Sequence, residues 1–526
     1  MVDFATKKQH YIKEINKIAK ESFNDEQKEL VRGILDSATE ANIDSLYTFV
    51  TQRVKTGFVF DAAPEVAHNC ISLCERNNKK SFGNESGTHH KLIIGENYDV
   101  LKNLVATYTK NGKGLIDVIY IDPPYNTEKT HEDGNDYKTE IKSEKFVYRD
   151  KFSRVGWLNM MKERLELARK LLSNQGVIFI SIDDNEQAYL KVLCDEIFGE
   201  NNFVACFVWR KKYGGGKGAK LYVDTHEYIL CFAKNIASLS FYPLKRTEKQ
   251  SDVFQLKDKY LEERGKYYIR PLKSGLDERK TLVYPIECPD GTTITTQWIC
   301  AQDTFKQLLA EDRIVFKLLK DGKYNVYKKF YENDLDGVLQ ESIIYDLAYN
   351  ADAKIELKKI FNIVEGRDTV FPNPKPTKLI KRILTLSASK NSIVLDFFGG
   401  SGTTMQAVME LNVEDGGKRQ CILVTNNEND IATNVTYERI YRVVNGKGTK
   451  KETFDWIYRD DKPYLTDNYI DVFNTNSYEL QIDDYDKAQI LLDKAKVEFK
   501  KLNPDYEFHD LDIYNHLASL KPYKKN

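Results

Sequence analysis

The sequence predicts an α/β fold, in which helices cover both faces of a doubly wound, Rossmann-like parallel sheet that a separate module interrupts. Three nearly continuous apolar runs, at 91–94, 115–121 and 177–182, are typical of strands buried on both faces. Amphipathic segments at 98–108, 157–172 and 186–198 alternate with these runs and predict helices. The alternation stops near residue 236 and resumes at residue 374, which indicates two halves of one sheet.

The second half of the predicted sheet contains a helix at 377–386, a strand at 392–397, a helix that begins near Thr403 and a strand at 421–424. Between the halves, aromatic residues, lysines and short β-like pieces stand among turns without a βαβ rhythm. This stretch predicts an inserted module with its own architecture.

The two ends of the chain are less regular. Residues 5–75 have helical periodicity, Asn24-Asp25 supplies an N-cap, and Cys70 and Cys74 fall in a predicted helix, followed by a polar linker at 77–90. After about residue 450 helical character returns only at 485–502. The predicted segments are 1–85 (helical), 86–235 (first half of the sheet), 236–365 (inserted module), 366–450 (second half) and 451–526 (a small C-terminal α+β region).

Charge and cysteine content narrow the possible function classes. The net charge is −1, but 17 Lys and Arg face 9 Asp and Glu between Arg210 and Lys280, and the region after residue 450 is acidic. This basic stretch is equally consistent with a surface that binds a polyanion and with an ordinary solvent-exposed face. The eight cysteines form no zinc-type spacing, so we expect no metal. Neither the apolar core of a signal peptide nor an apolar run of membrane-spanning length is found in the sequence. We therefore expect a cytoplasmic protein that does not associate with a membrane.

The first candidate site is Asp122-Pro123-Pro124-Tyr125, which follows an apolar strand. Ligands of open α/β sheets bind beyond the carboxyl ends of the strands. The Asp122 carboxylate and the Pro123 carbonyl could accept both hydrogens of an exocyclic aromatic amine, and the Tyr125 ring could stack on the base. A rigid strand-to-loop turn is the alternative interpretation of so short a motif.

The second candidate site is a glycine-rich turn between a strand and a helix. Glycines permit close approach of a ligand, and the helix N-terminus presents free N–H groups. The turn is neither the GxGxxG fingerprint nor a phosphate loop, and with acidic residues at two strand ends it suits an aminoacyl nucleoside. The residues expected to bind this ligand are Asp396, Phe397, Gly399, Gly400, Ser401, Gly402, Thr403 and Glu428.

The pairing of these two sites resembles the DNA amino-methyltransferases, and their order, with the DPPY first, resembles the permuted β class of this family. The segments GENYDVL (95–101), VIFISIDDNE (177–186), HEYIL (226–230) and FPNPKP (371–376) are similar to those of methylation (Mod) subunits of type III restriction-modification systems. Glu96 stands where the family usually has Asp. Mod subunits are commonly longer than this chain, so we expect a reduced recognition module.

The resemblance implies a class I methyltransferase fold with a target-recognition domain between its halves. It also implies S-adenosylmethionine as cofactor, adenine N6 as the target and a flipped-out base. Asn97, Asn373 and Lys375 are further cofactor-binding candidates. Double-stranded DNA is the expected substrate, and a homodimer and a separate restriction subunit are possible partners. The candidate phosphate contacts are Arg210, Lys211, Lys212, Lys217 and Lys220.

Two alternatives remain at this point. The first is a methyltransferase that acts on RNA or on a protein glutamine, although such enzymes carry Asn in place of Asp122. The second is a DNA-binding specificity subunit without activity, which would not need to keep both motifs. A fused nuclease is not indicated, because neither a nuclease core motif nor a helicase phosphate loop is found.

Overall fold

The computed structural model describes residues 4–17, 25–40, 42–43, 46–47, 70–126, 154–214, 221–275, 277, 279–334, 337–345, 347–363, 370–454, 456, 464–479 and 485–507. None of the helices within these ranges has both the length and the apolar character that a membrane span requires.

The strands of the described residues are β1 (Cys70–Arg76), β2 (Phe82–Gly83), β3 (Thr88–Ile94), β4 (Thr109–Lys110), β5 (Lys113–Gly114), β6 (Ile116–Ile121), β7 (Leu172–Ile182), β8 (Phe203–Arg210), β9 (His226–Ala233), β10 (Tyr267–Pro271), β11 (Val283–Glu287), β12 (Thr293–Gln297), β13 (Ile314–Leu318), β14 (Tyr324–Tyr331), β15 (Ile343–Ile344), β16 (Ile393–Asp396), β17 (Gln420–Thr425) and β18 (Asn468–Glu479).

The α-helices of the same residues are α1 (Phe4–Lys17), α2 (Asp25–Asp36), α3 (Asn97–Thr107), α4 (Arg154–Leu171), α5 (Gln187–Phe198), α6 (Glu248–Ser251), α7 (Leu261–Arg264), α8 (Gln302–Ala310), α9 (Asn350–Phe361), α10 (Thr377–Ser387), α11 (Thr403–Asp415), α12 (Glu438–Asn445) and α13 (Tyr485–Leu502). A π-helical turn, Ile431–Tyr437, leads into α12.

A single large sheet dominates the described part of the chain, with the strand order β1-β18-β3-β17-β16-β6-β7-β9-β8-β15. The strands from β18 to β7 pair in parallel, and β9 runs antiparallel to both β7 and β8. Strand β16 lies directly beside β6, with Leu395 opposite Ile119, although the inserted module separates the two strands in sequence. The predicted doubly wound α/β fold with permuted halves is confirmed.

Helices cover both faces of the sheet because its central strands are apolar on both sides. In β6, Ile119 and Ile121 pack into the cluster that contains α3, α4 and α5, whereas Val118 and Tyr120 pack into the cluster that contains α10, α11 and α12. Successive side chains of a strand point to opposite faces, which explains the unbroken apolar run of the sequence.

The N-terminal and C-terminal segments differ from the prediction. Cys70 and Cys74 lie in strand β1 and not in a helix, and the predicted linker contains β2 and the first residues of β3. Strand β18 of the acidic C-terminal region inserts between β1 and β3, so the sheet crosses the predicted boundaries at residues 85 and 451. A short apolar run in a sequence fits a buried helix and a buried strand equally well. At residues 70–76 the pairing of β1 with the distant strand β18 favours the strand.

The inserted module has a core of its own. Strands β10, β14 and β13 form an antiparallel sheet, and β11 and β12 form a hairpin. Their shared cluster contains Leu272, Tyr284, Trp298, Phe305 and Val326. The module ends before the predicted residue 365, because β15 already pairs with β8 of the large sheet and Ile360 packs into the core beneath it.

The position of β18 gives a first testable prediction. Phe473 is fully buried between the strands of the large sheet and α3, and Phe473→Ala should destabilise the fold by about 3–5 kcal/mol. The midpoint of thermal unfolding measures this effect. Glu479→Ala, at the exposed end of the same strand, is the matched control. Equal midpoints for the two variants would contradict the burial of β18.

Candidate active site

The candidate site lies along the carboxyl edge of the large sheet, where four neighbouring strands contribute. Asp122 follows β6 directly, and Asp396 is the last residue of the adjacent strand β16. Antiparallel β9 begins at the same edge, since Tyr228 pairs with Ile182 at the end of β7 and His226 pairs with the end of β8. The motifs of the two sequence halves are therefore brought to one edge.

Asp122 and Tyr125 belong to a compact ionic cluster with Lys375 and Glu227. The Lys375 Nζ lies 2.8 Å from Asp122 Oδ1, 2.6 Å from the Tyr125 hydroxyl and 3.2 Å from Glu227 Oε2. The Tyr125 hydroxyl donates to Asp122 Oδ1 over 2.8 Å, with Glu227 Oε2 at 3.2 Å. Lys375 and Glu227 are buried, and Asp122 is partly exposed. The Asp122 carboxylate thus stays accessible while Lys375 and Glu227 are enclosed.

Burial and neighbouring charges both shift the pKa values of the groups in this cluster. Burial raises the pKa of the Asp122 carboxyl; Lys375 opposes this rise, and Glu227 adds to it. Burial alone would lower the pKa of Lys375, but the carboxylates of Asp122 and Glu227 raise it overall. Lys375 therefore carries a positive charge that offsets part of the mutual repulsion of the two carboxylates.

The backbone of the DPPY loop is held from one side. The Trp157 indole N–H donates to the Pro124 carbonyl over 2.7 Å. Asn126 has a left-handed φ of 54° and donates to Glu186 over 2.8 Å. Within the described ranges no donor reaches the Pro123 carbonyl, so this oxygen can accept a hydrogen from an amine beside Asp122.

The glycine-rich turn after β16 is shaped by its backbone. Gly400 and Gly402 have φ values of 47° and 84°, and the Gly399 amide donates to the Val424 carbonyl over 2.8 Å. A Cβ on Gly399 would lie 2.8 Å from Leu423 Cγ. The turn therefore requires glycine for both its conformation and its packing against β17.

Asp396 clamps this turn. Its carboxylate accepts from the Phe398 amide over 3.0 Å and from the Thr404 hydroxyl. Burial raises the pKa of Asp396 to about 7, although both of these hydrogen bonds oppose the rise. A ligand with a positive charge or additional donors would therefore favour the ionised form.

The hydroxyls of Ser401 and Thr403 are engaged by the protein itself. Arg439 of α12 is buried and donates to Ser401 Oγ over 3.1 Å and to Thr403 Oγ1 over 2.8 Å. The Thr436 hydroxyl donates to the Gly400 carbonyl over 2.6 Å. These contacts brace the start of α11, which keeps the glycine turn in place.

Comparison with known proteins decides the family. A family model described as DNA methylase matches residues 116–433, more than half of the 526 residues. The chain belongs to the DNA methylase family. A second model, of a family described only as an uncharacterised conserved protein, matches residues 8–113.

Three relatives of this chain agree with the resemblance seen in the sequence, which is confirmed. The type III StyLTI Mod subunit of Salmonella typhimurium is 35% identical over 398 residues, 72% of this chain and 57% of that protein. The EcoPI Mod subunit of Escherichia phage P1 is 32% identical over 67% of this chain and 60% of its own length. The type II methyltransferase M.KpnI of Klebsiella pneumoniae is 31% identical over 69% of this chain and 87% of its length. This chain thus spans about three fifths of the length of the two Mod subunits.

The remaining predicted cofactor residues lie around the glycine turn. Asn97 is buried, donates to the Phe397 carbonyl over 3.0 Å and accepts from Arg164. Arg164 also pairs with Glu96 at 2.7 Å, so the unusual Glu96 supports the site through this arginine. Phe397 itself is buried in the core.

Glu428 and Asn373 lie on segments that flank the glycine turn. Glu428 is partly buried and lies just beyond the end of β17, and its amide donates to Asn426 over 3.4 Å. Asn373 is partly buried on the segment that leads to Lys375. Lys375, predicted as a cofactor residue, has its ammonium in the Asp122 cluster.

The predicted phosphate contacts of this chain fall into three groups. The Lys211 ammonium is 14% exposed and pairs with Asp224 at 2.7 Å and Glu227 at 3.5 Å, so its charge is largely balanced within the protein, and its contact with a phosphate stays a prediction. Arg210 lies over the Tyr213 ring at 4.7 Å, and Lys212 is exposed. Lys217 and Lys220 lie outside the described residues.

Glu227 and Trp157 are residues of the candidate site that sequence reasoning missed. Glu227 is a charged residue at the start of an otherwise apolar strand (HEYILCFA), and this contrast could have identified it as a candidate site residue. Trp157 begins a helical apolar face, which hides its hydrogen bond to the DPPY loop. The partners of both residues depend on contacts across distant parts of the chain.

Proposed function

We propose that this protein transfers a methyl group from S-adenosylmethionine to N6 of a flipped-out adenine in double-stranded DNA, in the cytoplasm, as the modification component of a type III-like restriction-modification system. The observation that carries the proposal is the adjacency of β6 and β16, which brings the Asp122 carboxylate and the glycine turn to one edge. A nucleoside at one strand end and an aromatic amine at the next is the arrangement that amine methylation needs.

The residues present fit the cofactor. The glycine turn offers a close-packed backbone and a helix N-terminus, and Asp396 and Glu428 provide acceptors for a nucleoside with a cationic tail. S-adenosylmethionine, when bound, supplies the methyl group as an electrophile. Asp122 and the Pro123 carbonyl would orient the amine, and the Tyr125 ring would stack on the base.

The test is transfer of labelled methyl groups to duplex DNA. Purified protein should label host DNA that lacks its own modification and should leave total RNA unlabelled. Sequencing with detection of modified bases should then locate N6-methyladenine at one recognition sequence. Label in RNA alone, or N4-methylcytosine as the product, would contradict the proposal.

We further assign DNA recognition to the inserted module. On one face of its sheet Tyr268 stacks beside Phe330, with ring centroids 5.3 Å apart, and Arg270 is opposite Lys328. The Arg270 guanidinium lies 5.3 Å from the Tyr268 ring, and the Lys328 Nζ lies 5.0 Å from the Phe330 ring. Alternating basic and aromatic side chains on one surface suit contacts to nucleic acid.

Arg270→Glu should weaken binding of duplex DNA by roughly tenfold at low salt and flatten the salt dependence of the affinity. Lys317→Glu is the matched control, because Lys317 is exposed on the opposite face of the same sheet. Fluorescence anisotropy with a labelled duplex measures both variants. Equal losses would show that general charge, and not this face, controls binding.

Partner subunits are proposed from the relatives alone. The StyLTI and EcoPI relatives are Mod subunits of type III enzymes, which supports a separate restriction subunit for this chain; a homodimer is a further proposal. Light scattering of the purified protein tests the dimer. Co-purification with a restriction subunit encoded in the same genome tests the larger assembly.

A further inference from the structure

The Lys375 ammonium occupies the centre of the catalytic cluster. An ammonium has three donors, and Lys375 has three acceptors in reach: Asp122 Oδ1 at 2.8 Å, the Tyr125 hydroxyl at 2.6 Å and Glu227 Oε2 at 3.2 Å. Its side chain is 8% exposed. All of its hydrogen-bonding capacity is therefore directed at the groups that would handle the target base.

The contacts of Lys375 distinguish the two carboxylate oxygens of Asp122. Lys375 and the Tyr125 hydroxyl both reach Oδ1, and no donor to Oδ2 is found within the described residues. Oδ1 is thus committed to the protein, and Oδ2 is left to accept a hydrogen from an amine. The same ammonium lies 4.8 Å from the Tyr125 ring centroid and so fixes that ring as well.

Lys375 also belongs to a row of five alternating charges. Asp224 pairs with Lys211 at 2.7 Å, Lys211 approaches Glu227 at 3.5 Å, and Glu227 and Asp122 flank Lys375. Glu227 and Lys375 are both less than a tenth exposed. Removal of Lys375 would leave the buried Glu227 carboxylate and the partly exposed Asp122 carboxylate without the cation between them, which is unfavourable unless one takes up a proton.

We propose that Lys375 is a positioning residue: its ammonium orients Asp122 and Tyr125 so that one carboxylate oxygen and one ring face are presented to the target adenine. The proposal rests on the proposed function, since it names how the second half of the chain controls the catalytic loop of the first half. It assigns Lys375 to the methyl acceptor and not to the cofactor.

The positioning role predicts a specific change in pH dependence. The charged and titratable groups that surround Asp122 are Lys375 and Tyr125, Glu227 with Lys211 behind it, Tyr120 of β6 and Asp396 of β16. Lys375 lowers the pKa of Asp122, whereas Glu227 raises it. An ionised Asp122 is required, so loss of Lys375 should move the acid limb of kcat to higher pH, and loss of Glu227 should move it back.

The experiment compares Lys375→Met with Lys378→Met, a matched control on the exposed side of α10. In Lys375→Met we expect kcat to fall at least a hundredfold and the acid limb to move to higher pH. The affinity for S-adenosylhomocysteine should stay within threefold of the wild-type value. In the double variant Lys375→Met/Glu227→Gln the acid limb should return toward its wild-type position. Weakened cofactor binding, or a loss of kcat with an unmoved pH profile, would overturn the proposal.

A measurement without turnover separates this proposal from the proposed function. With 3-fluorotyrosine at position 125, the fluorine resonance should shift in Lys375→Met and stay unchanged in Lys378→Met. An unchanged resonance in Lys375→Met would refute the positioning role, even if the wild-type protein methylates DNA. Absence of methylation by the wild-type protein, together with a shifted resonance, would refute the proposed function and keep the assignment of Lys375.

Discussion

Replacing Asp122 with Ala should lower methyl transfer by about a thousandfold or more, because it removes the acceptor that holds the target amine. The affinity for S-adenosylhomocysteine should change by less than about threefold, or under 1 kcal/mol, since the carboxylate lies on a different strand end from the glycine turn. Labelled-methyl transfer and calorimetry measure the two quantities.

Two further variants make the Asp122 result specific. Asp122→Asn keeps one acceptor oxygen and should retain more activity than Asp122→Ala. Asp493→Ala, on the exposed side of α13, should behave as wild type. Normal turnover in Asp122→Ala would remove the central residue of the proposed site, and loss of cofactor binding would indicate that the loop had collapsed.

The second large effect is expected at the glycine turn. A methyl group on Gly399 would lie 2.8 Å from Leu423 Cγ and 2.9 Å from the Val424 carbonyl oxygen, which accepts the Gly399 amide. Overpacking of this kind costs about 1–3 kcal/mol, so Gly399→Ala should weaken S-adenosylhomocysteine binding by roughly ten- to hundredfold. Calorimetry measures the affinity.

Gly275→Ala is the control for this prediction, because a Cβ at Gly275 would meet nothing within 4 Å. It should bind the cofactor product as the wild type does. Thermal unfolding of both variants shows whether the sheet is intact. Unaltered affinity in Gly399→Ala would mean that the turn is not part of the cofactor site.

The central strands and the two motifs could be predicted from the sequence because their information is local. The buried apolar run of β6 and the glycine turn after β16 can each be recognised from a few consecutive residues. Strand β18 could not be predicted in the same way, because its sequence NYIDVFNTNSYE mixes polar and apolar residues on a strand buried over only its first half. Its register depends on β1 and β3, which are far away in the chain.

The ionic cluster shows a second limit of sequence reasoning. Lys375 and Lys211 both belong to Lys-containing segments, and counting charges treats them as equivalent to exposed lysines. Only the folded sheet shows that Lys375 neutralises Asp122 and that Lys211 neutralises Asp224 and Glu227. Sequence motifs thus located the residues of the candidate site, while the ion-pair partners of these residues could be identified only from tertiary contacts.

The insertion of β18 between β1 and β3 has a consequence for how the chain folds during synthesis. Strand β3, which leads into the helix that carries Asn97, has β17 and β18 as its two neighbours, and both are made long after it. Until the ribosome has produced residues 468–479, β3 must present an unpaired apolar edge, which is a template for association with other chains. Completion of the sheet therefore waits for the last strand, and prematurely released chains should aggregate and not accumulate as a folded, partly active enzyme.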